Sequence, residues 1–260
     1  MRKTGTAVAE PIPTVIADDV NIIYKVIAGQ GGKGTAATAF RRILKRQDRP
    51  TIREVHAVKN VTFTAYKGDA IGVIGRNGSG KSTLLRAIAG LLPPASGAIY
   101  TGGRPSLLGV NAAMMNDLTG DRNVVLGCLA MGMSPAEITA RYDEIVEFSG
   151  IGDFIDLPMS TYSSGMAARL KFAIASAKTH DILLVDEALA TGDAEFRVRS
   201  EQKIKDLRSE AGTVFLVSHS LDVVLDTCNR AIWLDKGVLR MDGDTQEVVT
   251  AYTREATANR

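Results

Sequence analysis

The order of apolar and polar residues predicts a chain in which strands and helices alternate. Short runs rich in apolar and β-branched residues predict strands at 15–27, 57–63, 70–74, 181–185 and 213–217, and two more around Trp233 and Val238. Helical spacing with capping residues predicts helices at 82–89, 119–131, 167–179 and 194–210, and one that begins at Ser134. This alternation indicates an α/β fold with a largely parallel sheet.

The helical stretch in the middle of the chain predicts an inserted subdomain. Ser134, Pro135 and Glu137 supply a cap, a proline at the first helical position and an acid in the first turn. The length of 260 residues suits one large domain that carries a subdomain. The predicted layout is a tail at 1–13, a domain at 14–250 with a basic insertion at 25–56 and a helical subdomain at about 111–178, and a tail at 251–260.

Composition excludes several classes of protein. Apolar residues make up 45% and charged residues 23% of the chain, as in an ordinary globular protein. No apolar run approaches the roughly 18–20 residues that span a bilayer. Glu10, Pro11 and Pro13 interrupt the apolar core that a signal peptide would need. Cys128 and Cys228 form no disulfide framework, which suits a reducing compartment.

One glycine-rich segment matches the phosphate-loop pattern, with a predicted strand before it and a helix after it. Glycines let backbone N–H groups converge on phosphate oxygens, and the helix presents its positive end to them. Lys81 is expected to reach the β- and γ-phosphates of ATP, and the Ser82 hydroxyl to hold Mg²⁺. The segment comprises Gly75, Arg76, Asn77, Gly78, Ser79, Gly80, Lys81, Ser82 and Thr83.

Polar residues also follow two later strands. The apolar run 182–185 ends in Asp186 and Glu187, and the run 213–217 is followed by Ser218 and His219. Ligands of α/β sheets bind at the carboxyl ends of the strands. We expect Asp186 to hold Mg²⁺, Glu187 to orient or deprotonate the attacking water, and His219 to contact the γ-phosphate.

Together these residues resemble the ATP-binding cassette family over nearly all of 14–250. The decisive stretch is Tyr162-Ser163-Ser164-Gly165-Met166, which corresponds to the family's signature motif, usually Leu-Ser-Gly-Gly-Gln. The variant looks like that of exporters of lipid-linked polysaccharides, as do Leu118-Thr119-Gly120 and Asn123. The resemblance implies an α/β P-loop NTPase cassette with a mixed β core, an antiparallel β subdomain and an inserted α-helical subdomain.

The resemblance also assigns residues that the pattern alone does not. It implies that Ser163, Ser164, Gly165 and Met166 face the γ-phosphate bound by a second copy. Asn111 is the candidate for the Q-loop position, where the usual glutamine is missing, and Asp193 is the matched D-loop residue. Tyr24 is either the aromatic that stacks on adenine or a strand tyrosine that faces the core.

The resemblance implies a mechanism and partners. Two copies would sandwich two ATP molecules with Mg²⁺ and drive an integral membrane permease, at the cytoplasmic face of the membrane, that moves a lipid-linked glycan. Alternatives are an ATPase subunit of another lipid or drug exporter, or a non-transport cassette protein. Some relatives of this type carry a C-terminal carbohydrate-recognition domain; we expect none here, because about 17 residues after Gly243 cannot form a second core.

Charge is uneven although the net charge is only +2, because basic residues are concentrated between positions 25 and 60. Two interpretations of this basic segment remain open: a solvated surface, or a helix at 36–47 that lies near the permease and anionic headgroups. No aromatic interleaving accompanies the charges, so we expect no nucleic-acid partner. Asp48 and Glu54 alone oppose Lys25, Lys33, Arg41, Arg42, Lys45, Arg46, Arg49, Arg53 and Lys59.

Overall fold

The computed structural model describes residues 11–27, 52–108, 114–178, 180–186, 194–210, 212–218 and 220–258. Its strands are β1 (Pro13–Ile27), β2 (Ile52–Tyr66), β3 (Ala70–Ile74), β4 (Ser96–Thr101), β5 (Pro105–Leu107), β6 (Ile182–Val185), β7 (Thr213–Leu216), β8 (Arg230–Asp235) and β9 (Val238–Asp244). Its α-helices are α1 (Lys81–Ile88), α2 (Gly120–Ala130), α3 (Pro135–Ser149), α4 (Ser164–Ala175), α5 (Ala194–Glu210), α6 (Leu221–Thr227) and α7 (Thr245–Ala258).

A six-stranded sheet forms the centre of the fold, in the order β5-β6-β7-β3-β8-β9. The first five strands in this order run parallel, and β9 is antiparallel to β8. Every residue of β3, β6 and β7 is buried, which explains why these strands are continuous apolar runs. Because β3, β6 and β7 are parallel, their carboxyl ends lie on one edge of the sheet. The predicted α/β class and mixed β core are confirmed.

A second, three-stranded antiparallel sheet has the order β2-β1-β4. Pairing of β1 with β2 continues outward through Lys25 opposite Glu54 to Ile27 opposite Ile52. The predicted insertion at 25–56 is therefore too long at both ends, because these flanking residues extend the hairpin. The amphipathic helix predicted at 36–47 lies outside the described residues.

The helices α2, α3 and α4 pack around a separate apolar cluster that includes Val124, Ile145 and Leu170. The predicted start of α3 is confirmed: Ser134 Oγ accepts a hydrogen bond from Glu137 N, and the Glu137 side chain accepts one from Ser134 N. These bonds lower the pKa of Glu137, so the cap is kept at neutral pH and weakens as pH falls through that lowered pKa.

The predicted tail at 251–260 is wrong over most of its length, because α7 continues to Ala258. Val248 and Val249 are buried, and the ring of Tyr252 packs edge-on against Trp233 at 5.5 Å between centroids. This spacing of apolar residues gives α7 one face that packs on β8, and the helix therefore belongs to the domain.

Arg230 joins the two sheets, and its loss is expected to destabilise the fold. Its Nε and Nη2 donate to the Asp242 carboxylate at 2.7 and 2.8 Å, and Nη1 donates to Asp69 Oδ2 at 3.0 Å and Thr64 O at 2.8 Å. We expect Arg230→Met to lower the free energy of unfolding by about 2–3 kcal/mol, because two half-buried carboxylates lose their cation. Urea denaturation measures this.

Arg240→Met is the matched control for that measurement. Arg240 lies on the neighbouring strand, but its ion pair with Glu255 is 4.0 Å long, and both side chains are about half exposed. An exposed pair of this kind contributes about 0–1 kcal/mol. Equal losses from the two substitutions would contradict the role assigned to Arg230.

Candidate nucleotide-binding site

The phosphate loop lies between the end of β3 and the start of α1. Lys81 is 92% buried: its Nζ donates to Gly75 O at 2.7 Å and to Arg76 O at 3.1 Å. The lysine therefore reaches back across the loop that precedes it. Its ammonium group is held by these two loop carbonyls, close to the N-terminus of α1. The N-terminus of a helix itself attracts anions.

Two glycines of this loop adopt backbone conformations that other residues rarely adopt. Gly75 has φ 145° and Gly80 has φ 103°. A Cβ on Gly75 would overlap the Leu234 carbonyl oxygen, and one on Gly80 would overlap that of Ala57. The glycines at these places are therefore required both by the left-handed conformation and by the close approach of neighbouring backbone.

The structure brings together the two residues predicted to hold a divalent cation. Ser82 Oγ, in the first turn of α1, donates to Asp186 Oδ1 at 3.2 Å. Asp186 directly follows β6, on the same edge of the sheet as the loop after β3. Among the described residues no group of three or more His, Cys, Asp or Glu side chains could hold a metal ion. A hydroxyl and one carboxylate suit Mg²⁺, which takes its remaining ligands from water and phosphate.

Four predicted residues lie outside the described part of the chain. They are Asn111, Glu187, Asp193 and His219. Three of them adjoin described residues: Glu187 follows Asp186, Asp193 precedes Ala194 at the start of α5, and His219 follows Ser218 after β7. The roles assigned to all four stay predictions.

Tyr24 lies beside the phosphate loop. Its hydroxyl is 3.3 Å from Thr83 Oγ1, and the side chain is half-buried at the end of β1. The alternative of a strand tyrosine that faces the core stays open, because Tyr24 is a half-buried residue of β1. An aromatic ring next to the loop is where a base could stack, so the adenine-stacking role stays a prediction.

The predicted signature residues form the start of α4. Ser163 is the N-cap, and its Oγ accepts a hydrogen bond from Met166 N at 3.2 Å. Ser163 and Ser164 are exposed. An exposed helix N-terminus with a small capping residue offers N–H groups to an anion from outside the chain. The boundary of the helix differs from the predicted 167–179, because the cap lies inside the motif.

A cavity of about 370 Å³ borders the first half of the phosphate loop. Its far wall comes from β8 and from α7, whose residues 251–258 fall in the predicted tail. The apolar spacing of Val248, Val249 and Tyr252 was the signal that could have identified this wall. The described lining residues are Arg76, Asn77, Gly78, Ser79, Trp233, Asp235, Lys236, Tyr252, Glu255 and Ala256.

The glycine loop lies between a parallel strand and a helix, and a hydrogen bond joins it to an aspartate at the end of another strand. This arrangement defines a P-loop nucleotide-binding protein. The chain belongs to the ABC transporter family of ATPases, whose profile, described as ABC transporter, matches residues 58–190. The family recognised from Tyr162–Met166 and the phosphate loop is therefore confirmed, and with it the binding of ATP.

Two relatives show which branch of the family is similar. The chain is 41% identical over 250 residues to the O-antigen export system ATP-binding protein RfbB of Myxococcus xanthus, covering 95% of this chain and 57% of that protein. It is 43% identical over 196 residues to the teichoic acids export ATP-binding protein TagH of Enterococcus faecalis, covering 75% and 44%. The chain thus spans about half the length of these curated relatives.

Solved structures agree with the fold. The dimeric post-hydrolysis structure of the ATP-binding cassette MJ0796 bound to ADP and Pi superposes with a TM-score of 0.68 at 22% identity, covering 89% of this chain and 98% of that one. The predicted cassette fold is confirmed by this likeness. In the described part of the chain, no helix is both long and apolar enough to cross a bilayer.

Proposed function

We propose that this chain is the ATP-hydrolysing motor subunit of an exporter that moves a lipid-linked polysaccharide, of the O-antigen, capsule, teichoic acid or galactan type, across the cytoplasmic membrane. The proposal of ATP hydrolysis rests on the 3.2 Å contact between Ser82 and Asp186. This contact joins the phosphate loop to an aspartate at the carboxyl end of a strand. The names of the relatives and the motif Tyr162–Met166 support the choice of cargo.

Each side chain at the loop has a distinct task in hydrolysis. Lys81 neutralises charge on the β- and γ-phosphates, and the N–H groups of the loop and of α1 hold the phosphate oxygens. Ser82 and Asp186 would hold Mg²⁺, which supplies further charge neutralisation when bound. Glu187 orients the attacking water and accepts its proton, and His219 donates to the γ-phosphate oxygens.

The second half of the site comes from another copy of the chain. The exposed N-terminus of α4, capped by Ser163, supplies N–H groups and a hydroxyl to the γ-phosphate that faces it. Closure of the two copies around ATP is the step that moves the membrane subunit, and hydrolysis releases it. The chain acts at the cytoplasmic face of the membrane, bound to an integral membrane permease.

The test uses the complete transporter, purified as this chain with its membrane subunit and reconstituted in lipid vesicles. We expect a lipid-linked polysaccharide to raise the rate of ATP hydrolysis, and the same lipid carrier without its glycan to leave the rate unchanged. Equal stimulation by the bare carrier or by an apolar drug would favour the alternative of a lipid or drug exporter. Failure of the chain to co-purify with any membrane protein would contradict a transport role.

A further inference from the structure

The first residue of the stretch that matches the signature motif is a tyrosine, and it is bonded to another part of the helical subdomain. Tyr162 Oη donates a hydrogen bond of 2.6 Å to the carbonyl oxygen of Phe154. Its backbone N–H donates to Met159 O at 3.1 Å. Tyr162 is therefore held both by its backbone and by its side chain. It directly precedes Ser163, which caps α4.

The same hydroxyl lies against the first residue of α2. A Cβ built on Gly120 would overlap Tyr162 Oη and lie 2.9 Å from Ile155 O, so glycine at this position leaves room for the hydroxyl. Gly120 N also donates to Leu157 O at 3.2 Å. The hydroxyl thus lies where three segments meet: the start of α2, the 3₁₀ helix Gly152–Asp156 and the turn into α4.

This junction connects an exposed surface with the start of α4. Phe154 and Leu157 are 49% and 44% exposed although both are large and apolar. Burial raises the pKa of Tyr162, and the charge of Asp156 raises it further. The hydroxyl therefore stays protonated at neutral pH and remains a hydrogen-bond donor.

We propose that Tyr162 is a positioning residue for ATP hydrolysis: its hydroxyl sets where the N-terminus of α4 stands relative to the surface at Phe154. The proposal rests on the proposed function, because α4 acts there on ATP held by a second copy. The leucine that is usual at this place has no hydroxyl and cannot make the bond. The hydroxyl bonds the Phe154 segment directly to the residue before Ser163, in addition to the backbone bond from Tyr162 to Met159.

The test is Tyr162→Phe, which removes only the hydroxyl. The rate of ATP hydrolysis per chain is measured as the chain concentration rises. We expect the concentration that gives half of the maximal rate to increase about fivefold, the equilibrium effect of one lost hydrogen bond. The affinity for ADP, which one copy binds through its own loop, should stay unchanged. Gly120→Ala, which displaces the same hydroxyl, should shift the concentration dependence in the same direction.

Tyr142→Phe is the matched control. Tyr142 lies in the same subdomain, where burial and the nearby Asp121 carboxylate raise the pKa of its hydroxyl to about 12. We expect this variant to lose comparable thermal stability without any change in the concentration dependence. If Tyr162→Phe and the wild type reach half of the maximal rate at the same concentration, the positioning role is wrong and the proposed function stands. A wild-type rate per chain that does not depend on concentration would refute the two-copy site and the positioning role together.

Discussion

Lys81→Met is expected to abolish nearly all ATP hydrolysis. The buried ammonium group donates to two loop carbonyls at 2.7 and 3.1 Å, and so stands inside the turn that receives the phosphates. Methionine has similar length but no charge, so the transition state loses its nearest fixed cation. By comparison with removal of one preorganised electrostatic donor, the rate should fall about 100- to 1,000-fold. Phosphate release at saturating ATP measures the loss.

Lys67→Met is the control for the same chemical change. Lys67 is exposed in the turn before β3, at the opposite end of that strand from the phosphate loop. We expect this variant to hydrolyse ATP at the wild-type rate. A Lys81→Met rate within a few-fold of the wild type, in protein that melts normally, would show that Lys81 does not contact the transferred phosphate.

The sequence was most informative where local chemistry decides the structure. The phosphate loop was predictable because Gly75 and Gly80 occupy backbone conformations and close contacts that exclude other residues. The start of α3 was predictable because Ser134 and Glu137 satisfy each other's backbone groups. In both cases a few neighbouring residues determine the geometry, so a short motif contains the necessary information.

Long-range contacts were less predictable. That Ser82 and Asp186 lie 3.2 Å apart depends on the strand order, in which β7 separates β3 from β6. The helix α7 was missed because its apolar face is short and gains its stability from packing on Trp233. The bond from Tyr162 to the Phe154 carbonyl follows from no motif, because it joins a side chain to backbone eight residues away in a short 3₁₀ helix.

Glu187→Gln should leave ATP binding intact while it stops turnover, so that an ATP-bound dimer accumulates. Glu187 directly follows Asp186, whose carboxylate already contacts Ser82 of the phosphate loop. A glutamine cannot accept a proton from the attacking water. Loss of general-base assistance of this kind lowers a rate by about 100- to 10,000-fold. Because hydrolysis is the step that releases the two copies, light scattering should detect a dimer with ATP and a monomer with ADP.

A second Glu→Gln change separates the role of Glu187 from a general effect of lost charge. Glu195 is exposed in the first turn of α5, and we expect Glu195→Gln to hydrolyse ATP normally without a stable dimer. If Glu187→Gln stays monomeric with ATP and hydrolyses it at the wild-type rate, the base assigned here is wrong. A Glu187→Gln dimer that no longer forms when Lys81 is also methionine would show that the dimer is held by nucleotide, since the phosphate loop of each copy must first bind it.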